Sequence, residues 1–390
     1  MKFAYKFRIY PNKVQIAELD ETLEICRNLW NTALTDRKAV WEKRGETRSY
    51  EDQAYILVRE KQRNPELKKV HSHVLQDVLR RQKKAMDNFF RRVREGAKKK
   101  GYPRFKKRYT SFTFPESGFK LEGTRLKLSK ISGTIRTFVH RPIEGKIKTC
   151  TIKRDGTGAW FVIFVTDQDS PTPVPTDSVN VIGVDLGIEH AVTTSDGDVY
   201  DYPRYYVQAE KKQRAAQKSL SRKKLGSKNR KKAQKRLSRI GKRVTNLRDE
   251  FLHQTSRKLV DSADVIVFED LNINGMLKNH HLAKHIQDVS WGKLIRITQS
   301  KAERAGKRVV LVDPRNTSQK CSSCGELVPK ELSDRTHVCP HCGLELDRDL
   351  NAAINILTLG LRGSACGELT SGLGLPPSKR RFNETGSSAL

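Results

Sequence analysis

The chain has 390 residues, and its 76 Lys and Arg against 44 Asp and Glu give a net charge of +32. A charge of this size repels itself unless a polyanion covers it, which favours nucleic acid as the partner. With 36% hydrophobic residues the chain can form true cores, so disorder throughout is excluded. The sequence has no run of eighteen apolar residues and no signal-peptide stretch, so we expect a cytoplasmic protein with no membrane partner.

The first part of the chain predicts strands with a helical insertion. Residues 2–10 alternate apolar and polar positions, as a half-buried strand does. Helical periodicity starts near residue 14 and returns over residues 72–93, where the polar face is basic. Further strands are predicted at residues 121–128, 134–139 and 146–166, the last with a hairpin turn at 156–158. We therefore predict a nucleic-acid-binding region over residues 1–170, with a helical insertion at about 12–100.

A proline-rich stretch separates this region from the rest of the chain. Pro171, Pro173 and Pro175 lie among few apolar residues, which predicts a linker over 171–178. Residues 179–185 then form an apolar strand, continued by antiparallel strands at 191–194 and 199–202. At the other end, residues 360–390 are rich in Gly and Ser, which predicts a mobile tail.

A basic helical hairpin is predicted at residues 207–245. Its central 33 residues, 211–243, hold sixteen Lys or Arg and no acid. Short charged runs are usually solvated surface, but this uncompensated length favours an element that follows a phosphate backbone. Buried strands at 265–268 and 308–312, with helices at 251–260 and 291–305, complete the pattern. The fold class is therefore α/β, with an RNase H-like domain over residues 179–359 that carries insertions.

Three acidic positions point to a metal-dependent nuclease. Asp185 and Glu269 each end a buried strand, and Asp349 lies in the first turn of a helix that starts at Arg348. Cleavage by two Mg²⁺ ions requires carboxylates that converge from strand ends and a facing helix. Neighbouring acids compete for two of these places. We expect Asp270 to cap the turn that follows Glu269, and Asp347 to be the N-cap of the helix.

Four cysteines predict one structural zinc site. They form a Cys-x₂-Cys-x₁₄-Cys-x₂-Cys pattern, in which two knuckles close a tetrahedron of thiolates: Cys321, Cys324, Cys339 and Cys342. With four sulfur ligands the zinc ion has no open position for catalysis. His337 and His341 are expected to be bystanders. His281 and His285 have the spacing of a helical metal pair but no acid partner, so we expect them at the surface.

These motifs resemble the transposon-encoded TnpB proteins over nearly the whole chain. The resemblance rests on residues 181–190, 268–271, 314–325 and 347–356, and on an N-terminal set at 5–11, 88–90 and 101–106. It implies a RuvC nuclease domain with Asp185, Glu269 and Asp349 as its triad and a zinc ribbon at 318–346. It also implies an N-terminal β-barrel-like wedge domain with a helical recognition insertion. The implied partners are a guide RNA from the transposon end and double-stranded target DNA.

Several residues are candidates for contacts with these partners. Arg315 could steady the cleaved phosphate, although it could equally be an ordinary loop residue. The remaining candidates are Gln76, Arg80, Lys83, Tyr109, Thr110, Ser111, Lys223, Lys224 and Arg230. Some of these residues could recognise a short motif beside the target. Plain solvation or nonspecific phosphate contact is an equally good explanation for each of them. An unguided structure-specific nuclease and a non-catalytic regulator of transposition are the competing functions. We expect a monomer, since no heptad seam is evident.

Overall fold

A computed structural model describes residues 2–169, 179–331 and 334–362 of the chain. It divides into two compact units, Met1–Asp169 and Ser170–Leu390. No helix in the described ranges has the length and apolar composition that a bilayer span requires. The elements of the first unit are β1 (Lys2–Tyr10), α1 (Lys13–Arg44), α2 (Tyr50–Arg63), α3 (Pro65–Lys68), α4 (Ser72–Arg94), β2 (Ser111–Pro115), β3 (Phe119–Glu122), β4 (Arg125–Leu128), β5 (Thr134–Phe138), β6 (Lys146–Arg154) and β7 (Trp160–Asp167).

Local sequence signals set the helix ends in the first unit. Asn12 and Gln15 form a capping box at the start of α1, and Gly45 ends that helix in the left-handed conformation with φ +66°. Ser49 and Asp52 form a second capping box on α2. The helices pack on one another through α1, α2 and α4, which form the helical insertion between β1 and β2.

The seven strands of this unit form one antiparallel sheet in the order β2-β6-β7-β1-β5-β4-β3. Alternate residues of β1 are buried, so one face of the sheet covers the core. Phe119 on β3, an edge strand, lies 6.3 Å from Phe164 on the central β7, measured between ring centroids. The sheet therefore curls towards a barrel, as the resemblance implied.

Three predictions for this unit need correction. Residues 121–128 form two strands, β3 and β4, because the chain reverses at Gly123, which has φ +56°. Strand β2 was not predicted, since only five residues alternate there. Helices α2 and α3 were also missed. The predicted linker at 171–178 lies outside the described residues.

The second unit contains β8 (Val181–Asp185), β9 (Val192–Thr194), β10 (Val199–Tyr200), α5 (Tyr205–Ser221), α6 (Lys228–Ser262), β11 (Val265–Glu269), α7 (Ile273–Met276), α8 (Ala283–Val289), α9 (Trp291–Arg304), β12 (Arg308–Val312), β13 (Thr336–Val338), β14 (Glu345–Asp347) and α10 (Arg348–Arg362). Its five-stranded sheet has the order β10-β9-β8-β11-β12. Strands β8, β9 and β10 pair antiparallel, and β11 and β12 then join the sheet parallel to β8. This order confirms the predicted RNase H-like class.

Some boundaries in this unit differ from the prediction. Residues 251–260 are not a separate helix, because α6 runs without a break from Lys228 to Ser262. Asp270 does not cap the following turn. The side chain of Asn272 does so, by accepting a hydrogen bond from the Gly275 amide. Helix α10 continues through residues 360–362, and the rest of the predicted tail lies outside the described residues.

Helix α10 lies against one face of this sheet at backbone distance. A Cβ atom on Gly183 of β8 would fall 2.1 Å from the Ala353 carbonyl oxygen. A Cβ atom on Gly360 would fall 2.5 Å from Val267 of β11. Both contacts require glycine, because no side-chain carbon fits in that space. The other face of the sheet packs on α6 and α9.

We expect Gly183→Ala to lower the free energy of unfolding by about 3 kcal/mol or more, because the added methyl group overpacks the α10 contact. Gly241→Ala is the matched control. Gly241 lies inside α6 with open space around it, so alanine there should add about 0.5–1 kcal/mol. Chemical denaturation monitored by circular dichroism measures both. Equal stability of the two variants would contradict this packing.

Candidate active site and zinc centre

Asp185 and Glu269 end neighbouring parallel strands of the sheet. Val184 of β8 pairs with Phe268 of β11, so the two acids are the next residues along the same register. Side chains two residues apart on a strand share a face. Gly183 faces α10, and therefore so does Asp185; Val267 faces α10, and therefore so does Glu269. The two carboxylates lie side by side under one helix.

That helix supplies the third acid. Asp349, Ala353, Ile356 and Gly360 are buried on α10 at the spacing of one helical face, which is the face against the sheet. Asp349 is in the first turn because Asp347 caps the helix. The Asp347 carboxylate accepts hydrogen bonds from the amides of Asp349 at 2.8 Å and Leu350 at 3.0 Å. The predicted N-cap role of Asp347 is confirmed.

The three carboxylates share a desolvated environment. Glu269 and Asp349 are each only 7% exposed. Burial raises the pKa of Asp185 well above its usual range, and the nearby charges of Glu269 and Asp349 raise it further. Burial also raises the pKa of Glu269, against the effect of a hydrogen bond from Thr317, and the pKa of Asp349, against the Arg348 charge. Neighbouring buried carboxyl groups with raised pKa values are typical of functional sites.

The spacing of the acids differs from that of a single-ion site. Among the described residues, only the four cysteines form a group of three or more potential ligands whose atoms all lie within 4.8 Å of one another. The oxygens of Asp185, Glu269 and Asp349 are therefore spread more widely than the cysteine sulfurs.

The four cysteines meet at the predicted zinc centre. The Sγ atoms of Cys321 and Cys342 are 3.6 Å apart, as are those of Cys324 and Cys339. Zn–S bonds of about 2.3 Å in a tetrahedron place sulfurs roughly 3.8 Å apart, so this set fits Zn²⁺. Each knuckle is closed in the same way, with the amide of Gly325 or Gly343 donating to the carbonyl of the first cysteine at 2.9 Å.

Polar residues that the sequence analysis missed join the ribbon to the acids. Thr317, Asn351 and Asn355 connect the chain before Cys321 to Glu269 and to α10. One sequence signal could have revealed the asparagines. They lie two and six residues after Asp349, as the polar positions in a stretch of the helix, residues 350–357, that is otherwise apolar.

Comparisons with known proteins agree with this geometry. Residues 291–356 match the family described as “Cas12f1-like, TNB domain”, residues 163–280 match “Probable transposase”, and residues 1–46 match “Helix-turn-helix domain”. A “Putative RNA-guided DNA endonuclease” of Streptomyces pristinaespiralis is 35% identical over all of this chain and 96% of its own length. Another protein with this description, InsQ of Escherichia coli K12, is 31% identical over 94% of each chain.

The chain belongs to the TnpB family. Its fold is also similar to that in a cryo-EM structure of a Cas12f1–sgRNA–target DNA complex, with a TM-score of 0.54 and 13% identity. That similarity covers 89% of this chain and 83% of the other. The family assignment and the shared fold confirm the RuvC-like domain with its zinc ribbon.

The four histidines that the sequence analysis considered are not metal ligands in the described part of the chain, and Arg315 is exposed. His281 is exposed and His285 half-buried, and neither belongs to a ligand cluster in the described part of the chain. His337 is buried against Lys330, and His341 is exposed. The Arg315 side chain is 87% exposed and lies 3.8 Å from Asp313.

The candidates in the first unit have different surroundings. Arg80 is exposed and contacts Tyr50, and Lys83 pairs with Asp87 at 3.0 Å. Gln76 is half-buried. Tyr109 packs on Trp30, and burial raises the pKa of its phenol to about 12, so it contributes to the core.

Thr110 is engaged through its backbone, and Ser111 accepts hydrogen bonds from the Arg81 guanidinium at its carbonyl oxygen, 3.1 Å, and at its hydroxyl oxygen, 3.5 Å. The Thr110 carbonyl accepts a hydrogen bond from the Arg154 amide at 2.8 Å, and Ser111 begins β2. The exposed Thr110 side chain and the half-buried Ser111 side chain remain candidates for nucleic-acid contact.

The three candidates on the basic hairpin, Lys223, Lys224 and Arg230, also differ in their surroundings. Lys223 and Lys224 are exposed at the turn between α5 and α6. The Arg230 guanidinium instead donates to the carbonyls of Leu220 at 2.8 Å and Lys223 at 2.9 Å, so it closes the turn.

We expect Asp185→Asn to stabilise the protein in magnesium-free buffer at neutral pH by about 1 kcal/mol, a rise in melting temperature of roughly 2–4 °C. The pKa of Asp185 is higher in the folded state than in the unfolded chain, so ionising this carboxyl lowers the stability of the fold. This penalty is absent at pH values below the unfolded-state pKa, where the group is protonated in both states. That penalty grows as the pH rises through the window between the two values. The difference between variant and parent should therefore shrink as the pH is lowered.

Scanning calorimetry at several pH values measures this effect, with Asp198→Asn at an exposed turn as the control. A lower melting temperature for Asp185→Asn at neutral pH would show that the carboxylate is not in the repulsive environment described above.

Proposed function

We propose that the protein is an RNA-guided endonuclease of a transposon, which cuts double-stranded DNA beside a short flanking motif. The main observation in support of this proposal is that Asp185, Glu269 and Asp349 converge on one face of the RNase H-like sheet. The names of two relatives that match almost the full chain support the guided activity. All three acids are present, which argues against a non-catalytic regulator of transposition.

Two Mg²⁺ ions at the triad would supply an activated water and stabilise the leaving oxygen. Two ions about 3.5–4 Å apart need ligands from more than one direction, and the triad offers carboxylates from two strand ends and one helix. Asp185 and Glu269 would bind from the rigid strand ends, and Asp349 from the opposite side on α10. The raised pKa values of the three acids support this arrangement, because a neighbouring cation would stabilise their ionised forms.

The protein's own groups position the substrate around this centre. Arg315 has an exposed guanidinium on the loop after β12, within the same unit as the triad. We place it as a contact for the cleaved phosphate, where a cation stabilises developing negative charge. The zinc ribbon, with its closed set of four thiolates, has a structural role.

The net charge of +32 supports two nucleic-acid partners, a guide RNA from the transposon end and the DNA that pairs with it. The basic hairpin of α5 and α6 would follow a phosphate backbone. We place the protein in the prokaryotic cytoplasm, at the nucleoid when it is bound to DNA, as a monomer within its ribonucleoprotein. An unguided structure-specific nuclease remains the rival, and cleavage that does not depend on the guide would favour it.

We expect Glu269→Gln and Asp349→Asn to reduce guided DNA cleavage by about 10³-fold or more, equivalent to roughly 4 kcal/mol of transition-state stabilisation. Each has a matched neighbour as its control. Asp270→Asn changes the exposed acid beside Glu269, and Asp347→Asn keeps a side chain that can cap α10. Both controls should cut at close to the parent rate.

Single-turnover cleavage by the purified ribonucleoprotein measures these rates, and filter binding confirms that RNA and DNA affinity are retained. Loss of activity in Asp270→Asn with retention in Glu269→Gln would overturn the assignment.

We expect a Lys223→Ala, Lys224→Ala double variant to bind RNA more weakly, regardless of sequence. The slope of log K against log salt concentration should become shallower by roughly 1–2, since two phosphate contacts are lost. Arg230→Ala is the contrast, because its guanidinium bonds to the hairpin backbone and its loss should mainly lower thermal stability. Binding titrations at several salt concentrations measure this slope. An unchanged slope in the double variant would show that this turn does not contact the RNA.

A further inference from the structure

Thr317 makes a buried contact with one of the proposed metal ligands. The residue is 5% exposed, and its hydroxyl donates to Oε1 of Glu269 at 2.5 Å. The Pro314 carbonyl lies 3.1 Å from the same hydroxyl oxygen and is a second acceptor. A threonine hydroxyl has one proton, and a carboxylate is a stronger acceptor than a carbonyl. The proton therefore belongs to the contact with Glu269.

The chain around Thr317 is fastened to α10 by two asparagines. The Asn355 amide donates to the carbonyls of Thr317 and Lys320, both at 2.8 Å. The Asn351 amide donates to the Lys320 carbonyl at 2.8 Å, and its oxygen accepts from the Ser322 amide at 2.9 Å. Asn351 is fully buried. Helix α10 thus holds the backbone on both sides of the first zinc ligand, Cys321.

These contacts connect the zinc ribbon to the acids in a short path. The path runs from Cys321 through its neighbours to Asn351 and Asn355, and from Asn355 through Thr317 to Glu269. Asn351 and Asn355 are on the same helix as Asp349. Two of the three acids therefore depend on the position of one helix and one ribbon segment.

A hydrogen bond to Oε1 restricts the rotation of the Glu269 side chain and leaves Oε2 available. Groups that orient a metal ligand in this way commonly contribute 10–100-fold to metal affinity or activity. A glutamate without such a partner has three rotatable bonds to order when a cation binds, and this costs conformational entropy.

We infer that Thr317 is a positioning residue that holds the Glu269 carboxylate ready for a divalent cation, and that Asn351 and Asn355 keep Thr317 in place. The folded zinc ribbon thereby sets the cation affinity of the nuclease site. This inference rests on the proposed function, because it takes Glu269 as a cation ligand.

Thr317→Val tests the inference, since valine has nearly the same shape without the hydroxyl. With the complete ribonucleoprotein, we expect the Mg²⁺ concentration that gives half the maximal cleavage rate to rise 10–100-fold. The rate at saturating Mg²⁺ should stay within a few-fold of the parent. Thr317→Ser restores a hydroxyl and should restore most of the affinity. Ser318→Ala removes the adjacent hydroxyl and is the matched control.

A second measurement does not depend on cleavage. Calorimetric titration of the nucleic-acid-free protein with Mn²⁺ should show the same loss of affinity in Thr317→Val, and a smaller loss in Asn355→Ala. If the parent ribonucleoprotein does not cut DNA, the proposed function fails, while this titration still decides the role of Thr317.

Two results would overturn the inference. One is a cation dependence in Thr317→Val equal to that of the parent in both measurements. The other is a loss of bound zinc or of thermal stability in Thr317→Val without any change in cation affinity, which would show that Thr317 only supports the turn at Pro314.

Discussion

The close approach of α10 to the nuclease sheet is the constraint on which the active site depends. Gly183 lets the backbone of β8 approach the backbone of α10, and Gly360 lets the Val267 side chain of β11 pack directly on the helix. This contact puts the first turn of α10 over the ends of β8 and β11, and so brings Asp349 to Asp185 and Glu269. A spacer of even one methyl group at Gly183 would push apart backbones that already touch. The placement of the three acids is therefore a consequence of how the helix packs on the sheet.

The site is held together against its own electrostatics. Burial raises the pKa of all three acids, and the charges of Glu269 and Asp349 raise that of Asp185 further, so the cation-free state carries an energetic penalty. Hydrogen bonds and nearby charges reduce this penalty. Thr317 donates to Glu269, and the Arg348 guanidinium lies 3.6 Å from Asp349. The Asp347 carboxylate, which caps the helix, acts the other way and raises the pKa of Asp349 further. A cation bound at such a site would relieve this repulsion.

Much of this arrangement was predictable because the relevant signals are local. Alternation in β1, the apolar run of β11 and the Asp347 cap each act within a few residues, and all three were predicted correctly. Short elements were not, since five residues of β2 or a reversal at Gly123 give little periodicity. The cap at Asn272 was missed because Asp270 carries an equally good local signal.

The sequence by itself determined the α/β class and the four-cysteine site, and it predicted the three acids and the polyanionic partner, since these follow from spacing, periodicity and charge. Only the tertiary structure showed that Thr317 reaches Glu269 across 48 positions and that Asn351 and Asn355 fasten the ribbon to α10. It also showed that Arg230 closes a turn and that Tyr109 belongs to a core. The sequence gives the same residue whether its hydroxyl, amide or guanidinium group faces solvent or a hydrogen-bond partner. Its role is decided by which distant backbone packs against it.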